Sequence, residues 1–277
     1  MFRRSQTPGR TVEQLLLMRR AGLLVGQTLE LLRGEIRPGV TTLELDSLAE
    51  EFIRSHGGIP NFQLVPGYSH TLCTSVNDEI VHGIPSARRV LREGDLVSVD
   101  CGAELDGWNG DAAFSTVVGG AARAEDLRLI ELTEEALWAG ISALSVGGRL
   151  YAVGEAVEAS IEAAGEADGH EYGIVEEYVG HGIGRSMHED PQIPNYGVRD
   201  RGPTVRSGFT GAIEPMVTLG DSASHVLDDD WTVSTNDGSR AAHWEHSVAV
   251  TESGLTVLTA VDGGASRLAS AYVSLDA

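Results

Sequence analysis

Five potential metal ligands sit in segments that otherwise read as core or tight turn. They are Asp100 in LVSVDCG, Asp111 in GWNGDAA, His181 in YVGHGIG, Glu214 in AIEPM and Glu245 in HWEHS. An isolated buried carboxylate is very costly, so a fold that buries these runs must supply each acid with a counter-charge. The chain has no lysine, and its 20 basic residues are all arginine, against 41 acids. The cationic partners open to Glu214 and Glu245 are therefore arginine and metal. Four acids with one imidazole make a ligand set for a pair of hard-to-borderline divalent cations. Two such cations can activate water and clamp a carbonyl. Taken singly, each residue has a plainer reading: Asp100 and Asp111 as exposed strand-end acids, His181 as a structural histidine, His82 in VHGIP as a turn or core histidine.

The pattern along the chain is helices, strands, helices, strands, which predicts an α+β fold with two halves of similar layout. Thr11 and Gln14 form a capping box ahead of an apolar-periodic run to about Leu32. RPGV at 37–40 is a turn, and Thr41 with Glu44 opens a second helix ending near Gly57. Residues 58–71 read as irregular. From Leu72 to Val118 come the β-prone runs TLCTSV, EIVHGI, DLVSVDCGA and AAFSTVVG. Alternation in VSVDC puts Val97, Val99 and Cys101 on one face and Asp100 on the other. LDGWNG reads as a hairpin tip, with Asp111 starting the return strand so that two carboxylates face each other. Residues 124–144 and 150–164 read as helices broken by VGG, 165–173 as a surface loop, and 175–260 as strand and loop. The expected organisation is an N-terminal tail at 1–10, one catalytic domain at 11–262, and a frayed C-terminal tail at 263–277.

A net charge of −21 argues against a nucleic-acid or anionic-membrane partner. No run approaches the roughly 18 apolar residues of a membrane span, and no signal peptide is evident, so the expectation is a cytoplasmic protein. Cys73 and Cys101 form no CxxC pattern and read as reduced, buried thiols. HEDPQ at 188–192 fails HExxH at Gln192, and GHGIGRS fails GxGxxG at Arg185. GxSxG and GxxxxGK[ST] are also missing.

The segments NDEIVHGIP, VSVDCGAELDGWNGD, GHGIGRSMHEDP, AIEPM and DDDWTVSTNDGSRAAHWEHSVAVTE together resemble the type I methionine aminopeptidases, of the bacterial short form, from about Thr11 to Thr259. The resemblance implies the pita-bread (creatinase/aminopeptidase) fold, with two pseudo-symmetric halves around a central dimetal site. It implies Asp100, Asp111, His181, Glu214 and Glu245 as ligands of two divalent ions (Mn, Fe, Co or Zn), with Glu245 bridging. His82 and His188 match the family histidines that contact the substrate and the tetrahedral intermediate. Phe62, Val65, Tyr68, Met187 and Trp231 map onto the methionine pocket. On this reading a metal-activated water attacks the first peptide carbonyl, Glu214 shuttles its proton, and His82 and His188 donate hydrogen bonds.

The expected partner is then a peptide or nascent-chain N-terminus beginning with Met, with the ribosome admitted as a further partner, and the expected state is a monomer. The chain departs from the family pattern at Asn109, where many members have His, at Ala112, where many have Thr, and at His243, where Gln is usual. NFQLVPGY lacks the common Cys-and-Tyr arrangement, and the 165–173 loop is longer than in compact members. The alternatives are an Xaa-Pro-directed peptidase on the same fold and a divergent paralogue acting as a binding protein.

Overall fold

A computed structural model describes residues 6–275. The two predicted capping boxes start the first two helices. In α1 (Val12–Glu35) the Thr11 hydroxyl accepts from Gln14 N while the Gln14 side chain accepts from Thr11 N, and Thr41 and Glu44 repeat this at α2 (Thr42–Ser55). Asp46 on α2 ties that helix to the sheet by accepting from the backbone amides of Thr71 and Leu72, both at 2.8 Å.

A nine-stranded sheet forms the centre. Its main path runs Ile59–Pro60, Leu96–Leu105, Trp108–Val117, Glu245–Thr251, Phe209–Ile213, Gly180–Gly182 and Glu189–Ile193. Leu72–Val76 also pairs with Leu96–Leu105, and Gly254–Val257 with Glu245–Thr251. The path is split by sequence. Strands before residue 118 fill one side and strands after residue 179 fill the other. The two sides join by only two residue pairs, Glu245↔Ala113 and His246↔Ala112. α1 packs on the first side, while α3 (Ala124–Ser142) and α4 (Ala152–Asp168) pack on each other, with α3 also against the second side. The α+β layout and the paired halves thus follow the expectation. Among the described residues, no helix is long and apolar enough to cross a membrane.

Three local expectations are corrected. The polar stretch from Gly165 is not all loop: α4 continues through Asp168 and ends at Gly169, whose φ of 63° is the left-handed stop. Asp111 does not start the return strand. That strand begins at Trp108, because the hairpin turn needs only Asp106 and Gly107. The expected tails are packed wherever they are described; residues 1–5 and 276–277 lie outside the described residues. Thr7 is buried, and its amide donates to Thr204 O at 3.1 Å. At the other end, α5 (Ala265–Leu268) buries Leu268, and Val273 N donates to Leu255 O at 2.8 Å.

Asp126, in the first turn of α3, is fully buried and meets Arg240 Nη1 at 2.5 Å, and Arg240 also donates to Gly94 O at 2.9 Å. Removing one partner of a buried pair costs up to about 3 kcal/mol when the other charge is stranded, and here only the longer contact of Asp126 with Arg123 Nε, at 3.7 Å, would remain. Arg240→Met should therefore lower the chemical unfolding midpoint clearly. Arg37→Met, at an exposed pair with Glu35, should leave it unchanged. Equal midpoints for the two variants would contradict this account of Asp126.

Candidate metal centre

Strand pairing brings the five residues to one face. Residues directly opposite share a face, and so does every second residue along a strand. Asp100 pairs with Ala113, and Ala113 pairs with Glu245. Asp111 lies two residues before Ala113. On the other side His181 pairs with Ala212, and Glu214 follows two residues later, next to the pair Ile213↔His246. The positions between the ligands are the small residues Ala113 and Ala212, both buried, which leaves space above the sheet. The two aspartates are not directly opposite as expected. Asp111 faces Gly102, so the aspartates are offset diagonally.

The donor atoms form three overlapping groups: Asp100, Asp111 and Glu245; His181, Glu214 and Glu245; and Asp111, His181 and His188. Within each group they lie within 4.8 Å of one another. Glu245 belongs to the first two groups, the position a ligand shared between two ions would take. Asp100 Oδ1, Asp111 Oδ1 and Glu245 Oε1 are buried without a hydrogen-bond partner. Among the described residues, no arginine forms an ion pair with any of the four acids. His181 Nδ1 lies 2.9 Å from Gly182 O and must donate to it. The lone pair of a neutral ring is then on Nε2, which lies 3.5 Å from Glu214 Oε1. Two acceptors facing each other across that gap suit a shared cation, as does an imidazole oriented through its other nitrogen. The residues present therefore fit divalent metal.

Electrostatics agree with the geometry. Burial pushes the Asp100 carboxyl up to about 7. Burial and then the neighbouring carboxylates push Asp111, Glu214 and Glu245 well above the usual range. Burial, with the neighbouring His188, lowers His181 to about 4, and burial with His188 does the same to His82. These imidazoles are neutral at pH 7.

All twelve expected site residues line a single cavity of about 170 Å³, together with Cys73 and Val81. One end holds the carboxylates. The other is apolar, with Tyr68 and Trp231 meeting edge to face at 4.9 Å and Phe62, Val65 and Met187 around them. The Tyr68 hydroxyl is fixed by donating to Leu72 O at 2.7 Å. His188 stands edge-on to His181, ring centroids 4.4 Å apart, and His82 edge-on to Tyr178 at 5.4 Å. His82 takes a left-handed backbone, φ 61°. That conformation costs a residue with a Cβ about 1 kcal/mol or more, and such strain collects at functional sites.

Cys73 was missed as a site residue, although it pairs in register with Asp100. Val81 had no signal beyond preceding His82. The single-residue departures from the family pattern, Asn109, Ala112 and His243, do not line the cavity. Asn109 is buried, donates to Gly184 O at 3.1 Å and accepts from Asn61 Nδ2 at 3.3 Å. His243 is buried with its Nε2 unpartnered, and burial, with His82 nearby, lowers it to about 3. Ala112 pairs with His246 at the junction of the halves.

The sequence matches metallopeptidase family M24 over residues 16–252. The chain belongs to that family. Within it, the chain is 50% identical to methionine aminopeptidase 1 of Mycobacterium tuberculosis, over 92% of this chain and 96% of the relative. It is 44% identical to methionine aminopeptidase 1 of Bacillus subtilis, over 91% and 98%. The crystal structure of methionine aminopeptidase from Thermotoga maritima superimposes with a TM-score of 0.87 at 40% identity, covering 92% of this chain and all of that one. These likenesses set the chain among the methionine aminopeptidases of the family, with the pita-bread fold. A prolidase from Pyrococcus horikoshii shares the fold at a TM-score of 0.70 and 18% identity.

The clustered acids set a pH dependence. A carboxyl whose folded pKa is raised binds more protons folded than unfolded, so its contribution to stability falls as pH rises above the unfolded value of about 4. The lowered histidines act in the opposite sense, but only up to their unfolded value of about 6.5. Between pH 6.5 and 8 the carboxylates remain. The Tm of the protein in EDTA should therefore fall across that window, and saturating Mn²⁺ should remove most of the slope. A Tm in EDTA that is flat or rising from pH 6.5 to 8 would contradict a cluster of unpaired acids.

Proposed function

We propose that this chain is a metal-dependent aminopeptidase that removes an N-terminal methionine, with Asp100, Asp111, His181, Glu214 and Glu245 holding two divalent ions. The observation that carries the reading is the cavity itself, where the ligand cluster and a small apolar pocket share one space. A pocket of this volume takes one medium-sized side chain. Phe62, Tyr68, Cys73, Met187 and Trp231 offer an apolar, partly polarisable lining that suits a slim thioether. Carboxylates beside the apolar end of the cavity suit the free α-ammonium group of a chain terminus.

When bound, the ions supply Lewis acidity and a water of lowered pKa. Four oxygen ligands and one imidazole suit Mn, Fe, Co or Zn. Glu214, raised by burial and by Asp100, holds the proton given up at the attacking oxygen and delivers it to the leaving amine. His82 and His188, neutral at pH 7, each have one N–H to donate. On this reading His188 donates to the developing oxyanion and His82 to the scissile amide. The tripeptide Met-Ala-Ser therefore tests the reading against Ala-Pro-Pro.

Metal-stripped protein should release Met only after Mn²⁺, Fe²⁺, Co²⁺ or Zn²⁺ is added back. A preference for Ala-Pro-Pro would instead indicate an Xaa-Pro peptidase, and no hydrolysis with any of the four ions would defeat both. Glu214→Gln should keep metal, measured by elemental analysis, and lose about 10²- to 10⁴-fold in kcat. Unchanged turnover would remove Glu214 from the proton path.

A further inference from the structure

His188 sits on a loop that has little holding it from within. Residues 183–188 connect the strands Gly180–Gly182 and Glu189–Ile193, and their pairing shifts register between His181 and Gly182. The His188 ring touches His181 and is exposed. Thr210 Oγ1 donates to Ile183 O at 2.6 Å and Asn109 Nδ2 to Gly184 O at 3.1 Å, which hold the first end of the loop, so the placement of His188 depends on what fixes the end at Glu189.

We infer that Arg10 is the positioning residue for His188, acting as a staple across that loop from outside the sheet. The inference rests on the catalytic reading of His188 above. Arg10 Nη2 donates to Ile183 O at 3.4 Å, where the loop leaves one strand, and to Glu189 Oε2, where the loop enters the next. The other oxygen of Glu189 accepts from Ser186 N at 3.2 Å inside the loop. One guanidinium thus joins both ends, and its carboxylate partner is the residue next to His188. The pair is sheltered, with side-chain exposures of 16% and 22%, so it is stronger than an open surface pair. The fit is also tight. A Cβ at Gly184 would lie 2.0 Å from Arg10 Nη2.

Arg10 is itself held. Its amide donates to Gly208 O at 2.8 Å, and Gly208, at φ 83°, comes so close that a Cβ there would sit 2.1 Å from Arg10 O. Upstream, Thr7 is fixed along Thr204 and Arg206. The Arg10 guanidinium lies over the buried Trp108 ring at 5.6 Å, and Arg185, from the loop itself, stacks on the same ring at 4.1 Å. Loop and N-terminal segment are thereby clamped to one indole on the first half of the sheet. Nothing in this arrangement touches substrate. Its effect is to fix where the His188 imidazole stands.

Displacement of a catalytic group by about 1 Å can cost about 10²-fold in rate. Steady-state turnover of Met-Ala-Ser by the Mn²⁺-loaded full chain should show kcat for Arg10→Met reduced at least about tenfold, with KM and metal content much less changed. Arg10→Lys, which can still reach Glu189, should recover part of the loss. The deciding measurement is the double variant. If Arg10 acts through His188, Arg10→Met should cost little more in an His188→Ala background. Equal, additive losses in both backgrounds would overturn the inference. An His188→Ala variant with wild-type kcat would instead remove the catalytic reading of His188. A second readout is the imidazole nitrogen NMR signal of His188, which should shift or broaden in Arg10→Met while that of His181 stays. An unmoved His188 signal would also overturn the inference. Should Arg10→Met fail to fold, Glu189→Gln carries the same comparison with His188→Ala, because it weakens the staple from its other end.

Discussion

Four carboxylates that repel one another are gathered where the two sides of the central sheet pair. Glu245↔Ala113 and His246↔Ala112 are where the two sides of the sheet meet. At that junction Asp100 and Asp111 arrive from one side and Glu214 and His181 from the other. Burial makes each charge expensive, and proximity makes each worse for its neighbours. The surrounding core outweighs that cost enough to keep the acids together, and bound cations would reverse its sign. The remaining architecture follows from this demand. Alanines stand between the ligands, glycine-bounded strand ends carry His181, and the apolar pocket opens beside the charge cluster rather than elsewhere on the surface.

Much of this was legible in the sequence, for identifiable reasons. The capping boxes at Thr11 and Thr41 are local chemistry, and the structure keeps both. The clustered acids were legible because acids in apolar runs without lysine leave few counter-charges. What was not legible depends on register and on distant contacts. The diagonal offset of Asp100 and Asp111 comes from a two-residue turn at Asp106 and Gly107, which lengthens the return strand. Cys73 entered the cavity through its pairing with Asp100, a relation visible only once the strands are aligned. The polar composition of 165–173 suggested a loop, but the helix continued through Asp168 because Arg128 reaches that residue at 2.7 Å. The N-terminal end reads as a tail because its anchors lie almost 200 residues away, as with Thr7 and Arg206.

Of the departures from the family pattern, Asn109, Ala112 and His243 do not line the cavity, whereas Phe62, Val65 and Tyr68 of the segment NFQLVPGY do. Asn109 links the first half of the sheet to Gly184 in the loop between the two site histidines. His243 lies behind the cavity with a free ring nitrogen. Both sit one layer beneath the groups that would touch metal or substrate, where side chains orient other side chains. The hydrogen bond from Asn109 and the staple from Arg10 converge on one loop from two directions. That loop is accordingly less independent than its exposure suggests.

The strand order has a bearing on how the molecule comes into being. Asp100 and Asp111 belong to the first 117 residues, but the strand that carries Glu245 and closes the junction is made only after α3, α4 and the other main-path strands of the second side. A chain growing from its N-terminus can complete the first sheet segment and its helices while the second is still absent. Without the second side, the faces of Asp100 and Asp111 that Glu214 and Glu245 approach would be open to solvent, where a charge is cheap. The costly crowding begins only when the last ligand docks, by which time most of the apolar core that compensates for it has already been made.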